Sequence, residues 1–336
     1  MMTKKTLLLT GASGFVGRNI LSELQKNYEV ATLGRGTEND VCADLASSVP
    51  ALPKHFDVVY HVAGKAHSVP KTEAESRAFF DVNLTGTQNL CRALEISGTP
   101  SSLIFVSTVA VYGCERGESI DETHALAGTS PYAKSKIEAE EFLQKWCSAH
   151  SVVLTILRPS LIAGTDAPGN LGAMVRGIRS GRYLRIGNGN ARKSIVMVED
   201  LARVVPFAET RGGIFNLCAT QHPSFKELEK HISSQIGKAE PFAIPFFVAK
   251  CMAFVGDCCF GKAPIDSARL RKISETLTFS NKKARELLGW EPLEILENYN
   301  VIPPPRAQEL VPEFENLFAF LALRARALVA FRKEAA

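Results

Sequence analysis

Tyr132 and Lys136 stand four residues apart in YAKSK, a spacing that sets both side chains on one face of a helix. A phenol titrates near about 10 and is a poor acid or base at neutral pH, but an ammonium beside it favours the phenolate and makes the pair a tunable acid/base. Such a pair handles the proton that accompanies hydride transfer to or from a carbonyl, and the lysine can also hold a cofactor ribose. Ser107 and Thr108 close the apolar run SSLIFVST. That position is the carboxyl end of a strand, where ligands of parallel sheets bind, and a hydroxyl there aligns a substrate carbonyl with Tyr132.

The cofactor for this chemistry is signalled near the start of the chain. TGASGFVG carries Gly11, Gly14 and Gly17 between the apolar run LLL and FVGRNILSELQK, whose apolar positions recur at helical intervals. Glycines at a strand-to-helix turn admit positive φ and let a ligand approach the backbone. The first turn of the helix then offers unpaired N–H groups to a pyrophosphate, which makes this a dinucleotide-binding turn. The next strand, YEVATLGRG, ends on Gly34 and Arg35 with no acid in place. An acid there would hold the ribose 2′-hydroxyl of NAD, whereas an arginine accommodates a 2′-phosphate, so NADP(H) is expected over NAD(H), with Arg35 as a contact. Asp44, in ADL, is the expected partner of the adenine amino group.

These residues need a frame, and the rest of the chain supplies it. FDVVYHVAG and SSLIFVST read as third and fourth strands, separated by one long helix that closes on Gly98 and Pro100; a helix opened by Ser130-Pro131 and the strand SVVLTILRP follow. Strands alternating with helices mean a doubly wound parallel sheet of the α/β class. The alternation weakens after Pro159, which divides the chain into a cofactor-binding core over 1–160, a substrate-facing lobe mainly over 161–300 with elements returning to the core, and an amphipathic terminal helix over 301–336. The 336 residues are 46% hydrophobic and 22% charged with a net charge of +4, too small and dispersed for a nucleic-acid partner. Eight cysteines show no CxxC pair, which points to a reducing cytoplasm and no metal site, and the opening residues leave no room for a signal peptide. PFAIPFFVAKCMAFVGDCCF, with only Lys250 and Asp257 charged, falls short of a membrane span. It is expected to pack on the core as a helix of the substrate lobe, with peripheral contact to a membrane as the alternative.

The order TGASGFVG, ADL, HVAG, VNLTGT, STVAVYG, YAKSK, LRPSLIAG and LLGWEP resembles the extended short-chain dehydrogenase/reductases that act on nucleotide sugars, over nearly the whole chain. The resemblance implies a Rossmann domain with a smaller C-terminal α/β lobe for a UDP-sugar. It implies Thr108, Tyr132 and Lys136 as the catalytic triad. It places Gly11, Ser13, Gly14, Phe15, Val16 and Gly17 on the pyrophosphate turn, and Leu45, Ala63, Gly64, Val106, Ser107 and Pro159 along the cofactor cleft, with Asn83 as the structural asparagine. Asn170 matches a position that touches the sugar diphosphate, Arg192 and Lys193 supply charge where relatives hold phosphate, and Arg269 or Arg271 adds more. Relatives dimerise through the helix of Tyr132; here Glu138, Glu141 and Lys145 charge that face, and a homodimer stands only as an implication.

Departures from the family narrow the reaction. Val109 and Ala110 occupy the places where 4,6-dehydratases carry an Asp-Glu pair, so expulsion of water is not expected. Cys114 follows Tyr112-Gly113 and reads as structural rather than as half of the Cys/His pair that epimerisation at carbons 3 and 5 requires. What remains is redox chemistry at carbon 4. The stretch from Arg158 to Val205 resembles bacterial enzymes of O-antigen and capsule synthesis, among them 4-reductases of UDP-4-keto-6-deoxy-N-acetylhexosamines, and this is the expected activity. A UDP-hexose or UDP-N-acetylhexosamine 4-epimerase shares every residue above, and a non-catalytic NADP(H)-binding sensor is the rival of another class.

Overall fold

The structure is a computed structural model that describes residues 4–66, 68–258 and 266–301. The terminal helix expected beyond Val301 lies outside the described residues, as does the side chain of Arg269. In chain order, β1 (Thr6–Thr10) passes through the glycine turn into α1 (Phe15–Asn27), followed by β2 (Glu29–Gly34), a short β3 (Val41–Cys42) and β4 (Val58–His61). Next come α2 (Glu73–Phe80), a π-turn (Asp81–Thr85), α3 (Gly86–Ser97), β5 (Ser102–Val106) with a 3-10 turn (Val109–Tyr112) after it, β6 (Gly117–Ile120), α4 (Pro131–Ala149), β7 (Val153–Pro159) and β8 (Leu161–Ala163). Then follow α5 (Gly169–Arg179), β9 (Leu184–Ile186), β10 (Ile195–Met197), α6 (Asp200–Arg203), α7 (Val205–Arg211), β11 (Gly213–Leu217) and α8 (Phe225–Gln235). The described chain finishes with β12 (Phe242–Ile244), α9 (Phe246–Cys258), α10 (Ser267–Ser274), β13 (Leu277–Phe279), α11 (Lys282–Leu288) and α12 (Ile295–Asn298).

The chain forms two compact units, the first comprising everything up to Pro168 with Ser194–His222 and Leu277–Tyr299, the second built from Gly169–Lys193 and Pro223–Thr276. In the first unit a 7-stranded sheet runs in the order β11-β7-β5-β4-β1-β2-β3, and every pairing in it is parallel. Its strands are buried on both faces, which is why they read as unbroken apolar runs. Leu7, Leu9 and Tyr60 point to one face, where Ile20 and Leu24 of α1 and Trp290 cover them. Leu8 and Val59 point to the other, against Leu90 and Leu94 of α3 and Leu143 of α4. From β1 the chain winds outward through β2, and from β4 it winds the opposite way. The strand order therefore reverses between β1 and β4, and a crevice opens beyond their carboxyl ends, at Gly11 and His61. This is the α/β Rossmann fold.

Two local expectations are corrected. The single helix expected between the third and fourth strands carries the π-turn, which inserts one extra residue per turn around Asn83. The insertion lets Asn83, fully buried, turn its amide onto Lys65 of the loop after β4 and Ser135 of α4 rather than along its own helix. The apolar stretch around α9 does form a helix of the second unit, but its large residues are not what it buries. Ala249, Ala253 and Leu270 make the small cluster between α9 and α10, while the phenylalanines of α9 are exposed. Among the described residues no helix is long and apolar enough to cross a membrane.

Candidate active site

Gly11 has φ of +75°, and a Cβ there would lie 2.8 Å from the backbone N and Cα of Ala63, so only glycine lets the β1 turn nest against the end of β4. A Cβ on Gly17 would strike the Gly11 carbonyl oxygen and come within 2.6 Å of Ala12 Cα. The turn closes with Gly14 N–H donating to Gly11 O at 3.0 Å. Gly14 caps α1 with no side chain of its own, and the first turn of α1 holds no acid, so its N–H groups stay available to an anion. Ser13 is exposed, and Phe15 and Val16 are partly buried, along this turn. A dinucleotide fits the cradle: its backbone is bare where a pyrophosphate would sit, and the glycines are required by contacts within the protein.

Behind the cradle lies a buried network that sequence reasoning missed. Thr10 Oγ1 accepts from the amides of Val62 and Ala63 at 3.2 and 3.1 Å and contacts His61 Nδ1 at 2.7 Å; His61 Nε2 lies 2.9 Å from Thr87 Oγ1, which donates to Asn83 O at 2.6 Å. The one proton of Thr87 is used on Asn83, so His61 Nε2 carries a proton and donates, and Nδ1 accepts from Thr10. Burial, helped by the nearby Lys136 ammonium, pulls His61 down to about 3, and the ring is neutral. Asn83 extends the network, accepting from Lys65 N at 2.8 Å and donating to Ser135 Oγ at 2.9 Å, and Ser135 in turn donates to Tyr132 O. HVAG and VNLTGT contained these residues, but nothing in their spacing announces that they meet.

Of the three residues expected as the triad, Thr108 lies just beyond β5 and the other two on α4. Ser130 caps α4 by accepting from Ala133 N, with Pro131 at the first helical position, so Tyr132 and Lys136 stand on the first turns of α4. Thr108 Oγ1 accepts from Ala110 N at 3.1 Å. Burial raises the phenol above its usual range, and the neighbouring Thr108 side chain opposes the rise. Lys136 stands one turn further along α4. The ammonium is directed elsewhere: it donates to Val106 O at 2.8 Å, lies 4.5 Å from the Phe105 ring centre, and would sit 3.1 Å from a Cβ on Gly64. Burial lowers Lys136 to about 8, with Glu140 working against the fall.

Glu140, one turn further along α4, is fully buried and takes the Ser107 hydroxyl on one oxygen. Arg158 of β7 donates to both its oxygens, at 3.1 and 2.5 Å, and to Tyr112 OH at 3.0 Å, and Tyr112 donates to Asn216 Oδ1 at 2.7 Å. This chain of buried groups supports Ser107 and, through it, the position of Thr108. Cys114, read from the sequence as structural, has its Sγ 3.2 Å from His124 Nε2, but burial pushes its thiol up and leaves it protonated.

The remaining expected residues fall as follows. Leu45 is buried in the core and its carbonyl accepts from Asn89, while Asp44 is exposed and accepts from Ala46 N. Pro159 ends β7, paired with Leu217. Arg35 is exposed just beyond β2. The fold also supplies what the sequence omitted there: the Glu38 carboxylate folds back against Gly36, so an acid does stand near the strand end. In the second unit, Asn170 is exposed at the start of α5, Arg192 is 3.4 Å from Glu227, and burial lowers Lys193 to about 8, against Glu275 and with Lys272. Arg271 is exposed on α10. No group able to hold a metal occurs among the described residues.

A parallel sheet of Rossmann order with a glycine turn at its switch point defines a dinucleotide-binding fold. Residues 7–218 match the NAD dependent epimerase/dehydratase family, and the chain belongs to it. It is 27% identical over 300 residues, 82% of this chain and 88% of the relative, to the N-acetyl-alpha-D-glucosaminyl-diphospho-ditrans,octacis-undecaprenol 4-epimerase of Escherichia coli O157:H7. It is 28% identical over 245 residues, 68% of this chain and 78% of the relative, to the GDP-6-deoxy-D-mannose reductase of Pseudomonas aeruginosa. Among solved structures, RMD from Pseudomonas aeruginosa complexed with NADPH superposes with a TM-score of 0.69 at 19% identity, over 88% of this chain and 95% of that one.

Proposed function

We propose that the chain reduces the C4 ketone of a UDP-4-keto-6-deoxy-N-acetylhexosamine. The observation that carries this reading is the assembled Thr108, Tyr132 and Lys136 beside Val109 and Ala110, which offer neither acid nor base for removing water. When bound, the nicotinamide supplies the hydride. Tyr132, held as a phenol by burial, gives its proton to the developing alkoxide, and the Thr108 hydroxyl at the end of β5 aligns the carbonyl oxygen with it. Lys136 is anchored on Val106 O and stands where a ribose hydroxyl would be held. Arg192 and Lys193 are assigned to the diphosphate, with Lys272 reinforcing the positive field around Lys193. NADP(H) is the proposed cofactor through Arg35, and Glu38 is the group that opposes this choice.

A 4-epimerase is the second reading, favoured by the relative in Escherichia coli O157:H7, whose own substrate is an N-acetylhexosamine on a lipid diphosphate. Absorbance of reduced nicotinamide decides between them. Stoichiometric loss of NADPH with a UDP-4-keto-6-deoxy-N-acetylhexosamine, faster than with NADH, is expected of the reductase. Interconversion of C4 epimers without net cofactor loss would assign the epimerase.

A further inference from the structure

Helix α9 is amphipathic in the wrong sense for a helix packed on a core. The residues it buries are the small ones, Ala249 and Ala253, fully covered, with Gly256 on the same face. The residues it exposes are large and apolar: Phe247 is 74% exposed, Phe254 71% and Val255 60%, with Phe246 and Val248 partly exposed beside them. Phe242 of β12, four residues before α9, is 74% exposed. Phe247, Cys251 and Phe254 recur at i, i+4 and i+7 and so make one stripe. A contiguous apolar surface of this kind marks an interaction site rather than ordinary surface.

The charges around the stripe choose its partner. Lys250 lies on α9 with its ammonium 5.4 Å from the Phe246 ring centre, and Arg271 and Lys272 are exposed on α10, which packs against α9 through Leu270. Of the acids nearby, Asp257 takes the amide and hydroxyl of Ser267 at 3.0 and 2.6 Å and faces Arg271, and Glu240 is paired with Arg185 at 3.2 Å. An aromatic stripe bordered by cations is the pattern of a surface that lies in a membrane interface and gains from anionic headgroups. The chain's own segment after Val301 is the weaker occupant, because the charges inside its apolar run, Arg324 and Arg326, are like in sign to the rim of the stripe, and its acids Glu309, Glu313, Glu315 and Glu334 lie outside that run. We propose that the second unit docks on an anionic lipid bilayer through Phe242, Phe247 and Phe254, lying on the membrane without crossing it.

Cys251 is exposed at the centre of the stripe and reports on it directly. The full chain is treated with a water-soluble maleimide, alone, with phosphatidylglycerol/phosphatidylethanolamine vesicles, or with phosphatidylcholine vesicles, and labelling is read at each cysteine by mass spectrometry. The expected result is rapid labelling of Cys251 without lipid, at least tenfold protection by the anionic vesicles and none by the neutral ones, with Cys42 labelled equally throughout. The exposed-face variant F247E/F254E should lose co-sedimentation with anionic vesicles at least tenfold while keeping its circular dichroism and hydride-transfer rate. K250Q/K272Q should shift the salt needed for release to lower concentration. Protection of Cys251 without lipid would overturn the proposal in favour of the chain's own segment or a second copy, and sedimentation velocity of F247E/F254E tells these apart. Unchanged vesicle binding by F247E/F254E, or no binding by the parent chain, would overturn it as well.

Discussion

At the residue scale the pKa directions separate the two halves of the Tyr-Lys pair. Tyr132 is raised by burial and keeps its proton, whereas Lys136 is lowered to about 8 and is the group that changes charge in the working range. Rising pH therefore removes the ammonium first, and kcat/KM should fall as pH passes through about 8. Lys136→Arg should carry that limb upward out of the measurable range, with a pH–rate profile as the check. Tyr132→Phe should lower kcat by about 100-fold or more while NADPH affinity, read by fluorescence titration, changes little. The glycine turn, the strand-end hydroxyls and the helix start at Ser130 were legible in the sequence because each lies in a short motif with its own spacing. His61 and Glu38 were not legible, since His61 acts through Thr10 and Thr87, which are far from it in sequence, and Glu38 reaches the end of β2 only by the folding back of a loop. His61 gives a second test. Its folded value of about 3 lies below the unfolded 6.5, so the unfolded chain binds the extra proton between them. Stability is held above 6.5 and lost as pH falls toward 3, by about 1.4 kcal/mol per pH unit. Urea unfolding at a series of pH values should show this slope, and His61→Gln should flatten it.

At the scale of elements, the pairing of α4 with β7 through Glu140 and Arg158 fixes the strand end on which Ser107 and Thr108 stand. Both partners are almost fully buried, so removing one charge leaves the other without compensation. Glu140→Gln should cost about 3–5 kcal/mol in urea unfolding, and adding Arg158→Met should return much of it, because the pair then leaves no uncompensated buried charge. Full stability in the single variant would show that the ion pair does not hold these elements together. The strands themselves were readable as buried apolar runs, and α4 from its Ser-Pro start. The π-turn was not, because its extra residue is invisible to a helical period that continues on both sides of Asn83. For α9 the period was right and the face was wrong: apolar content alone predicts burial, and it took the structure to show that alanine and glycine occupy the inner face.

At the scale of the whole molecule, the sequence reports where the βα alternation weakens, near Pro159, but the first unit regains Ser194–His222 and Leu277–Tyr299 through contacts between distant segments. Trp290 of LLGWEP is 1% exposed and packs in the core of the sheet, not in the second unit. Such returns depend on long-range packing that no local pattern records. The division separates the glycine turn, Thr108, Tyr132 and Lys136 in one unit from Asn170, Arg192, Lys193 and Arg271 in the other. Each set should therefore respond to its own ligand in hydrogen exchange. NADPH should slow the amides of the glycine turn, of Ala63 and Gly64, and of Ser107 and Thr108, and at about 100 times its Kd should stabilise the first unit by about 2.7 kcal/mol. UDP should slow the amides from Arg192 to Lys193 and along α10, and Arg192→Gln with Lys193→Gln should abolish that protection while leaving NADPH protection intact. Protection by UDP confined to the first unit would remove Arg192 and Lys193 from the diphosphate site and return them to ordinary surface charge.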